Sequence, residues 1–160
     1  MEKTKDTMTT RHYWEIKYDH NDLDKEKFKK FTEYVEHLLR VTTIPTADWE
    51  GAGESEIDQD YISLNGYGED ACETLRIDRL QAIAGLKSIY KWKDSCNTHN
   101  RPYNEVVTAI LLVFKHVFKD QVMLSSESSH YKWGDGYRLA QQVIEDIEGP
   151  HYTVTQEVTK

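Results

Sequence analysis

Basic residues are missing from a long stretch of this chain. No Lys or Arg occurs between Arg40 and Arg76, a stretch of 35 residues that contains nine of the 28 carboxylates. The rest of the chain has 19 acidic residues and 20 basic ones, so the formal net charge of -8 is concentrated in residues 41–75. A localised negative field repels nucleic acid and attracts basic surfaces or cations. We therefore expect a protein partner with a basic surface and no direct binding of nucleic acid.

Cysteines and long apolar runs are also scarce. The 160 residues contain only Cys72 and Cys96, too few for a disulfide framework, which favours a reducing compartment. The two thiols would pair only if the fold brought their Cα atoms to about 5–6 Å. The longest apolar run, residues 109–114, is far shorter than the ~20 residues that span a bilayer, and residues 1–14 lack the apolar region of a secretory signal. We expect a cytoplasmic protein without a membrane segment.

Hydrophobic patterning predicts one α+β domain over residues 11–160, preceded by a disordered tail of residues 1–10. Alternation of period two and turn residues predict the strands. The predicted strands cover residues 11–18, 60–67, 71–78, 90–96, 122–124 and 151–158. The turn at residues 65–70 joins two of them into a hairpin, which implies antiparallel pairing.

Apolar residues three and four apart predict three main helices. The first has about 16 residues and follows a cap at Asn21 or Asp22, and the second begins at Pro102. The third covers residues 135–148, with Ile147 among its inward residues. We expect a mostly antiparallel sheet of about five strands with the three helices packed on it.

The apolar residues of segment 41–59 recur with no clear period, so this segment is predicted to form a long loop that is acidic at about 45–60. Loops this long in compact domains are functional or disordered. Carboxylates two to four residues apart, with Trp49 and Tyr61 as apolar anchors, would suit a negative protein-binding surface. The candidate partner-binding residues are Asp48, Trp49, Glu50, Glu54, Glu56, Asp58 and Asp60.

Two other interpretations of this segment stay open, a solvated loop without a function and a calcium site. Asp58, Asp60 and Glu69 fall at the first, third and twelfth places of an EF-hand-like loop. Ile62 and Ser63 then occupy the fifth place and the glycine place, so the match fails. Paired cysteines, a His-Glu-x-x-His spacing and a phosphate-binding glycine loop are all missing from the sequence, which predicts no metal site and no cofactor.

A second candidate site lies in the polar segment 125–135 and near the C-terminus. A strand followed by a polar loop and a helix N-terminus would hold an anion on free N–H groups. The residues of this alternative pocket are Ser125, Ser126, His130, Trp133, Asp135 and His151. The competing interpretation is structural, with Asp135 as a helix cap and Trp133 packed over the last helix. His151-Tyr152-Thr153 resembles half of the signature of the 2H phosphoesterases, which use two such histidines as base and acid, and the second copy is missing.

Three segments together resemble a known group of proteins. They are residues 61–66 continuing through 73–75, residues 96–104 with the helix that follows, and residues 125–133 with the last helix. Over roughly residues 60–145 the chain is similar to small uncharacterised proteins encoded by bacteriophages and prophages. The resemblance implies no activity, but it implies a viral or mobile-element accessory protein that acts in a bacterial cytoplasm.

The leading hypothesis is a small acidic, non-enzymatic protein that binds another protein. If it is phage-encoded, inhibition of a host-defence or nucleic-acid-handling protein is the natural specialisation. One alternative is a small enzyme or ligand binder, phosphoesterase-like, that uses the 125–135 loop and His151. Another is a virion structural component, which would form a closed homo-oligomer.

Overall fold

A computed structural model describes residues 10–17, 22–80, 91–127, 133–150 and 158–159. The predictions for residues 1–9, for residues 81–90 and for most of the C-terminal strand lie outside the described residues. The described strands are β1 (Arg11–Lys17), β2 (Thr46–Ala47), β3 (Glu56–Ile57), β4 (Tyr61–Gly66), β5 (Leu75–Asp78), β6 (Lys91–Asn97), β7 (Val122–Ser126) and β8 (Val158–Thr159). The described α-helices are α1 (Lys25–Val41), α2 (Asn104–Phe118) and α3 (Gly134–Glu148).

The first sheet is built around β1 and has the strand order β6-β1-β7-β8. β1 pairs antiparallel with β6 and β7, while β8 runs parallel to β7. The alternation predicted for β1 is confirmed, since His12, Trp14 and Ile16 are buried between more exposed neighbours. This alternation decides which face of the first sheet turns towards the core.

The second sheet is built around β4. β5 pairs with one part of β4 from Tyr61 opposite Asp78 to Leu64 opposite Leu75, so the hairpin predicted at residues 60–78 is confirmed. β2 and β3 also pair antiparallel with β4. The α+β class and the three helices are confirmed, but the strands form two sheets instead of one sheet of about five. The reason is that β4 forms its backbone hydrogen bonds with β2, β3 and β5, while β1 forms its own with β6 and β7, so the two groups of strands do not pair with each other.

The helix boundaries require three local corrections. The carboxylate of Asp24 accepts the backbone N–H of Lys27 at 2.9 Å, so Asp24 caps α1 instead of the predicted Asn21 or Asp22. Pro102 lies in the turn before α2 rather than in its first position. Ile147 is 44% exposed, since the buried face of α3 ends before it reaches this residue.

α2 is buried along nearly its whole length and contacts both α1 and α3. A single hydrophobic cluster joins the two sheets and the three helices, with Trp14, Ile62, Phe31, Phe114 and Val143 as representatives of each. No described helix has the length and apolar character needed to cross a bilayer.

Hydrogen bonds to Glu73 fix the second sheet to the first. The carboxylate of Glu73 accepts two bonds of 3.0 Å from the Arg11 guanidinium, and its carbonyl accepts the Tyr103 hydroxyl at 2.6 Å. The thiol of Cys96 donates to the same carbonyl at 3.4 Å. Cys72 and Cys96 are both free thiols, as expected for a chain without a disulfide framework. The hairpin that carries much of the acidic segment is therefore held in one position relative to β1.

Candidate protein-binding surface

Asp48 organises the loop that follows β2. Its carboxylate accepts the backbone N–H groups of Glu50 at 2.9 Å and Ala52 at 3.3 Å, while its own N–H donates to the carbonyl of Gly53 at 3.1 Å. Burial alone would raise the pKa of the Asp48 carboxyl, but the backbone N–H groups of residues 50–53 outweigh it and lower the pKa. Asp48 is therefore a structural anion that keeps the loop closed.

A glycine contact joins this loop to the turn after β4. The N–H of Gly68 donates to the carbonyl of Gly51 at 2.8 Å. Both glycines have positive φ, 79° at Gly51 and 61° at Gly68, a conformation that other residues adopt only with strain. A Cβ at Gly51 would also lie 3.1 Å from the Cβ of Ala71. The two loops thus form one surface, which we name the acidic knuckle and define as residues 48–54 and 67–70.

The acidic knuckle exposes two large aromatic side chains. Trp49 is 63% exposed and Tyr67 is 54% exposed, and both are among the most exposed large apolar residues that the structure describes. The knuckle also carries four exposed carboxylates, which form no ion pair with a described residue. These four carboxylates belong to Glu50, Glu54, Glu69 and Asp70. Exposed aromatic rings with charges at the rim are typical of protein-binding surfaces.

Three of the predicted partner-binding residues, in β3 and in the turn that follows it, form contacts within the protein. Asp60 forms a salt bridge of 2.8 Å with Arg79. The Asp58 carboxylate accepts the N–H of Asp60 at 3.1 Å, and Glu56 accepts the hydroxyl of Tyr61 at 3.1 Å. The ring of Tyr61, which was predicted as an apolar anchor, is covered by the guanidinium of Arg76, whose Cζ lies 4.1 Å from the ring centroid. Of the predicted set, Trp49, Glu50 and Glu54 therefore remain available in the knuckle.

The sequence did not identify Tyr67, Glu69 and Asp70 as part of this surface. The turn signal at residues 65–70 was visible, but it does not reveal which other loop the turn contacts. The pairing of Thr46 with Gly66 and of Ala47 with Asn65 brings the two loops together. The guanidinium of Arg101 then fixes the turn by donating to the carbonyl of Glu69 at 2.8 Å.

The calcium interpretation finds no support in this geometry. Asp58 lies in the turn before β4 and Glu69 in the turn after it, while the carboxylate of Asp60 faces Arg79. Within the described ranges, no group of three or more His, Cys, Asp or Glu side chains is placed to hold a metal ion.

The alternative pocket is only partly assembled. Ser126 and Trp133 both contact His12, a residue outside the predicted set. Ser126 Oγ lies 3.0 Å from His12 Nδ1. The rings of Trp133 and His12 pack edge to face with their centroids 4.9 Å apart. Ser125 lines a surface depression together with Ser126 and with Tyr13, which lies opposite Ser125 on the neighbouring strand β1. His130 and His151 lie outside the described residues.

Asp135 does not join this group and does not cap α3. It forms an ion pair with Arg138 one turn further along the helix, and both side chains are largely exposed. The residue before the helix is Trp133, whose side chain makes no capping hydrogen bond and is fully buried. The predicted cap at Asp135 is therefore wrong, because Trp133 packs in the core and the helix begins at Gly134.

His12 forms a buried polar hub with Ser126, Asn104 and Thr98. Its Nε2–H donates to Asn104 Oδ1 at 2.7 Å, and the same oxygen accepts the Thr98 hydroxyl at 2.8 Å. A serine, a histidine and an orienting amide in this order resemble an activated nucleophile. However, His12 is 0% exposed and Ser126 is 4% exposed, so the imidazole cannot reach a substrate in this conformation.

Burial lowers the pKa of His12 to about 4, against a smaller opposing effect of its hydrogen bond to Asn104. The imidazole is therefore neutral at neutral pH and satisfies one donor and one acceptor, as a core histidine does. The sequence indicated only that His12 faces inward. Its partners are 114 and 92 residues away, and local patterning carries no information about them.

Comparisons with known proteins add no candidate for the site. No protein-family model, no curated protein and no solved structure matches this chain.

Proposed function

We propose that this chain is a non-enzymatic protein that binds the basic surface of another protein through its acidic knuckle. The observation that carries the proposal is the pair Trp49 and Tyr67, two exposed aromatic rings on a knuckle that also carries four exposed carboxylates without an ion pair among the described residues. Aromatic anchors supply contact area at low entropic cost, while rim charges steer association and select the partner.

The partner we infer is a protein whose basic surface contacts nucleic-acid phosphates. Such a surface presents Lys and Arg side chains, and a row of carboxylates would offer it the same charge as a phosphate backbone. If the chain is phage-encoded, the corresponding role is inhibition of a host-defence or nucleic-acid-handling protein. This role would be exercised in the cytoplasm of the host.

The buried hub favours this proposal over the enzymatic alternative. Among the described residues, Ser126 with His12 is the arrangement closest to a nucleophile and its base, and the imidazole that would act as the base is fully buried. A general base must reach the proton that it abstracts from a bound substrate, directly or through one water. The knuckle, in contrast, is exposed.

The test uses two variants of the knuckle, captured with their partner from lysate of the native host at low and high salt. In the first, Glu50 and Glu54 are both replaced by lysine; in the second, Trp49 and Tyr67 are both replaced by alanine. We expect one basic partner that is bound by the wild type and lost at high salt, because exposed charge pairs are screened. Each charge reversal should weaken binding about fivefold, and the aromatic double variant about thirtyfold or more.

The matched control reverses the same number of charges outside the knuckle. Glu26 and Glu33 are exposed on α1, and replacing both by lysine changes the net charge equally. Asp58 and Asp60 are left intact, because they hold the turn between β3 and β4 and their loss would disturb the hairpin. A partner that binds both knuckle variants as tightly as the control variant would refute the proposal.

A further inference from the structure

Arg101 reaches from the loop before α2 to the turn of the acidic knuckle. Its guanidinium donates to the carbonyls of Glu69 at 2.8 Å and Ala71 at 3.0 Å. These carbonyls belong to the short 3₁₀ helix Gly68–Asp70 and to the residue that follows it. The last carbonyls of a helix have no partner within the helix, and a basic side chain satisfies them. The two bonds therefore hold the turn that exposes Tyr67.

The charge of Arg101 does not explain its place beside an acidic surface that binds a basic partner. Arg101 forms no ion pair with a described residue. Its positive charge lies against the backbone of a turn that carries Glu69 and Asp70, and it reduces the repulsion between these two carboxylates. The same charge would repel Lys and Arg side chains of a partner. The contribution of Arg101 to binding must therefore come from the turn that it holds.

The loop that carries Arg101 has a fixed conformation of its own. His99 and Asn100 both have left-handed backbone conformations, with φ of 53° and 56°. Non-glycine residues adopt this conformation at a cost, and it persists only where the surrounding contacts impose it. Here the Thr98 hydroxyl accepts the N–H of Asn100 at 3.3 Å, and the Thr98 carbonyl accepts the N–H of Arg101 at 3.0 Å. The loop therefore directs Arg101 to the knuckle in the free protein.

The buried hub anchors this loop. The Thr98 hydroxyl donates to Asn104 Oδ1 at 2.8 Å, and the same oxygen lies 2.7 Å from His12 Nε2. The N–H of Asn104 also donates to the carbonyl of Arg101 at 2.8 Å. A continuous series of hydrogen bonds thus runs from β1 through the start of α2 to the turn of the knuckle. This gives the hub a role in support of the binding surface.

We propose that Arg101 is a positioning residue of the acidic knuckle, which keeps the turn at residues 67–70 in the conformation that binds the basic partner. This inference rests on the proposed function and adds a residue outside the knuckle that binding requires. Through charge alone, removal of Arg101 would strengthen the attraction for a basic partner. Through position, its removal weakens binding, because a released turn must be ordered again when the partner binds. The two effects have opposite signs, so a binding measurement separates them.

The test titrates ¹⁵N-labelled protein with a decapeptide of alternating lysine and glycine and follows the backbone amides of the knuckle. Arg101→Gln removes the guanidinium, while the control Arg40→Gln removes the same charge from an exposed position in the last turn of α1. We expect Arg101→Gln to weaken binding about fivefold, and Arg40→Gln to leave it unchanged or slightly stronger. Amide hydrogen exchange at Gly68, Asp70 and Ala71, which are hydrogen-bonded in the turn, should become faster in Arg101→Gln alone.

The outcomes separate the role of Arg101 from the function of the knuckle. If Arg101→Gln binds the lysine peptide as tightly as the control variant or more tightly, the positioning role is overturned and the proposed function stands. A peptide that shifts no knuckle amide of the wild type would overturn both. If Arg101→Gln alters the spectrum far from the loop, Arg101→Lys is the second variant, since it keeps the charge without the planar fork of donors. Weaker binding by Arg101→Lys supports positioning by the guanidinium, and unchanged binding overturns it.

Discussion

Replacing His12 by glutamine should make the folded protein less sensitive to acid. Burial lowers the pKa of His12 from its usual 6.5 to about 4, so the unfolded chain binds a proton at a pH where the folded protein does not. This contribution to stability is fully present above pH 6.5 and is lost as the pH falls towards 4. At 1.36 kcal/mol for each pH unit, the loss from this one residue is about 3 kcal/mol.

Urea unfolding of wild type and His12→Gln between pH 7.5 and pH 4.5 measures this difference. Glutamine does not titrate, so the variant should lose less stability over this range even if it is less stable at pH 7.5. Ser126→Ala is the matched variant, because it leaves the imidazole buried and should keep the acid sensitivity. An imidazole that titrates near pH 6.5 by NMR, or equal pH dependence in wild type and His12→Gln, would refute the buried neutral state.

Two further changes test how the three helices pack against one another. Gly136→Ala should destabilise the fold by about 1–3 kcal/mol, because the new Cβ would lie 2.8 Å from the Cβ of Thr108 on α2. Gly134→Ala is the control on the same helix. Its new Cβ would have no atom within 4 Å, so this variant should be neutral or slightly stabilising. Tyr34→Phe should cost about 1 kcal/mol, because the buried hydroxyl that binds the carboxylate of Glu148 is removed. Urea unfolding at pH 7 checks both, and a Gly136→Ala protein as stable as Gly134→Ala would contradict the close contact.

The elements with a long enough pattern were predictable from the sequence. β1 has seven residues, and its alternation places His12, Trp14 and Ile16 on the inner face. β2 and β3 have two residues each, too few for any period to show. Because β2 and β3 pair with β4 and cannot be recognised from the sequence, the sequence could not reveal that the strands divide into two sheets.

The candidate surface was only half predictable, for a related reason. The charge pattern identified Glu50 and Glu54, since the absence of basic residues is visible in one dimension. It could not separate them from Asp60, whose partner Arg79 lies 19 residues away, or join them to Tyr67, which requires the pairing of β2 with β4. Composition locates excess charge, but the fold decides which charges remain available to a partner.

The acidic knuckle is pre-organised, and this determines the kind of binding that it can support. The Asp48 carboxylate holds the backbone of its loop, and the Gly68 to Gly51 hydrogen bond joins that loop to the next. A disordered acidic loop would lose conformational entropy on binding, whereas these loops are already in place and the cost falls mainly on exposed side chains. The carboxylates at the rim should therefore act mostly on the association rate and its salt dependence, and Trp49 and Tyr67 mostly on dissociation.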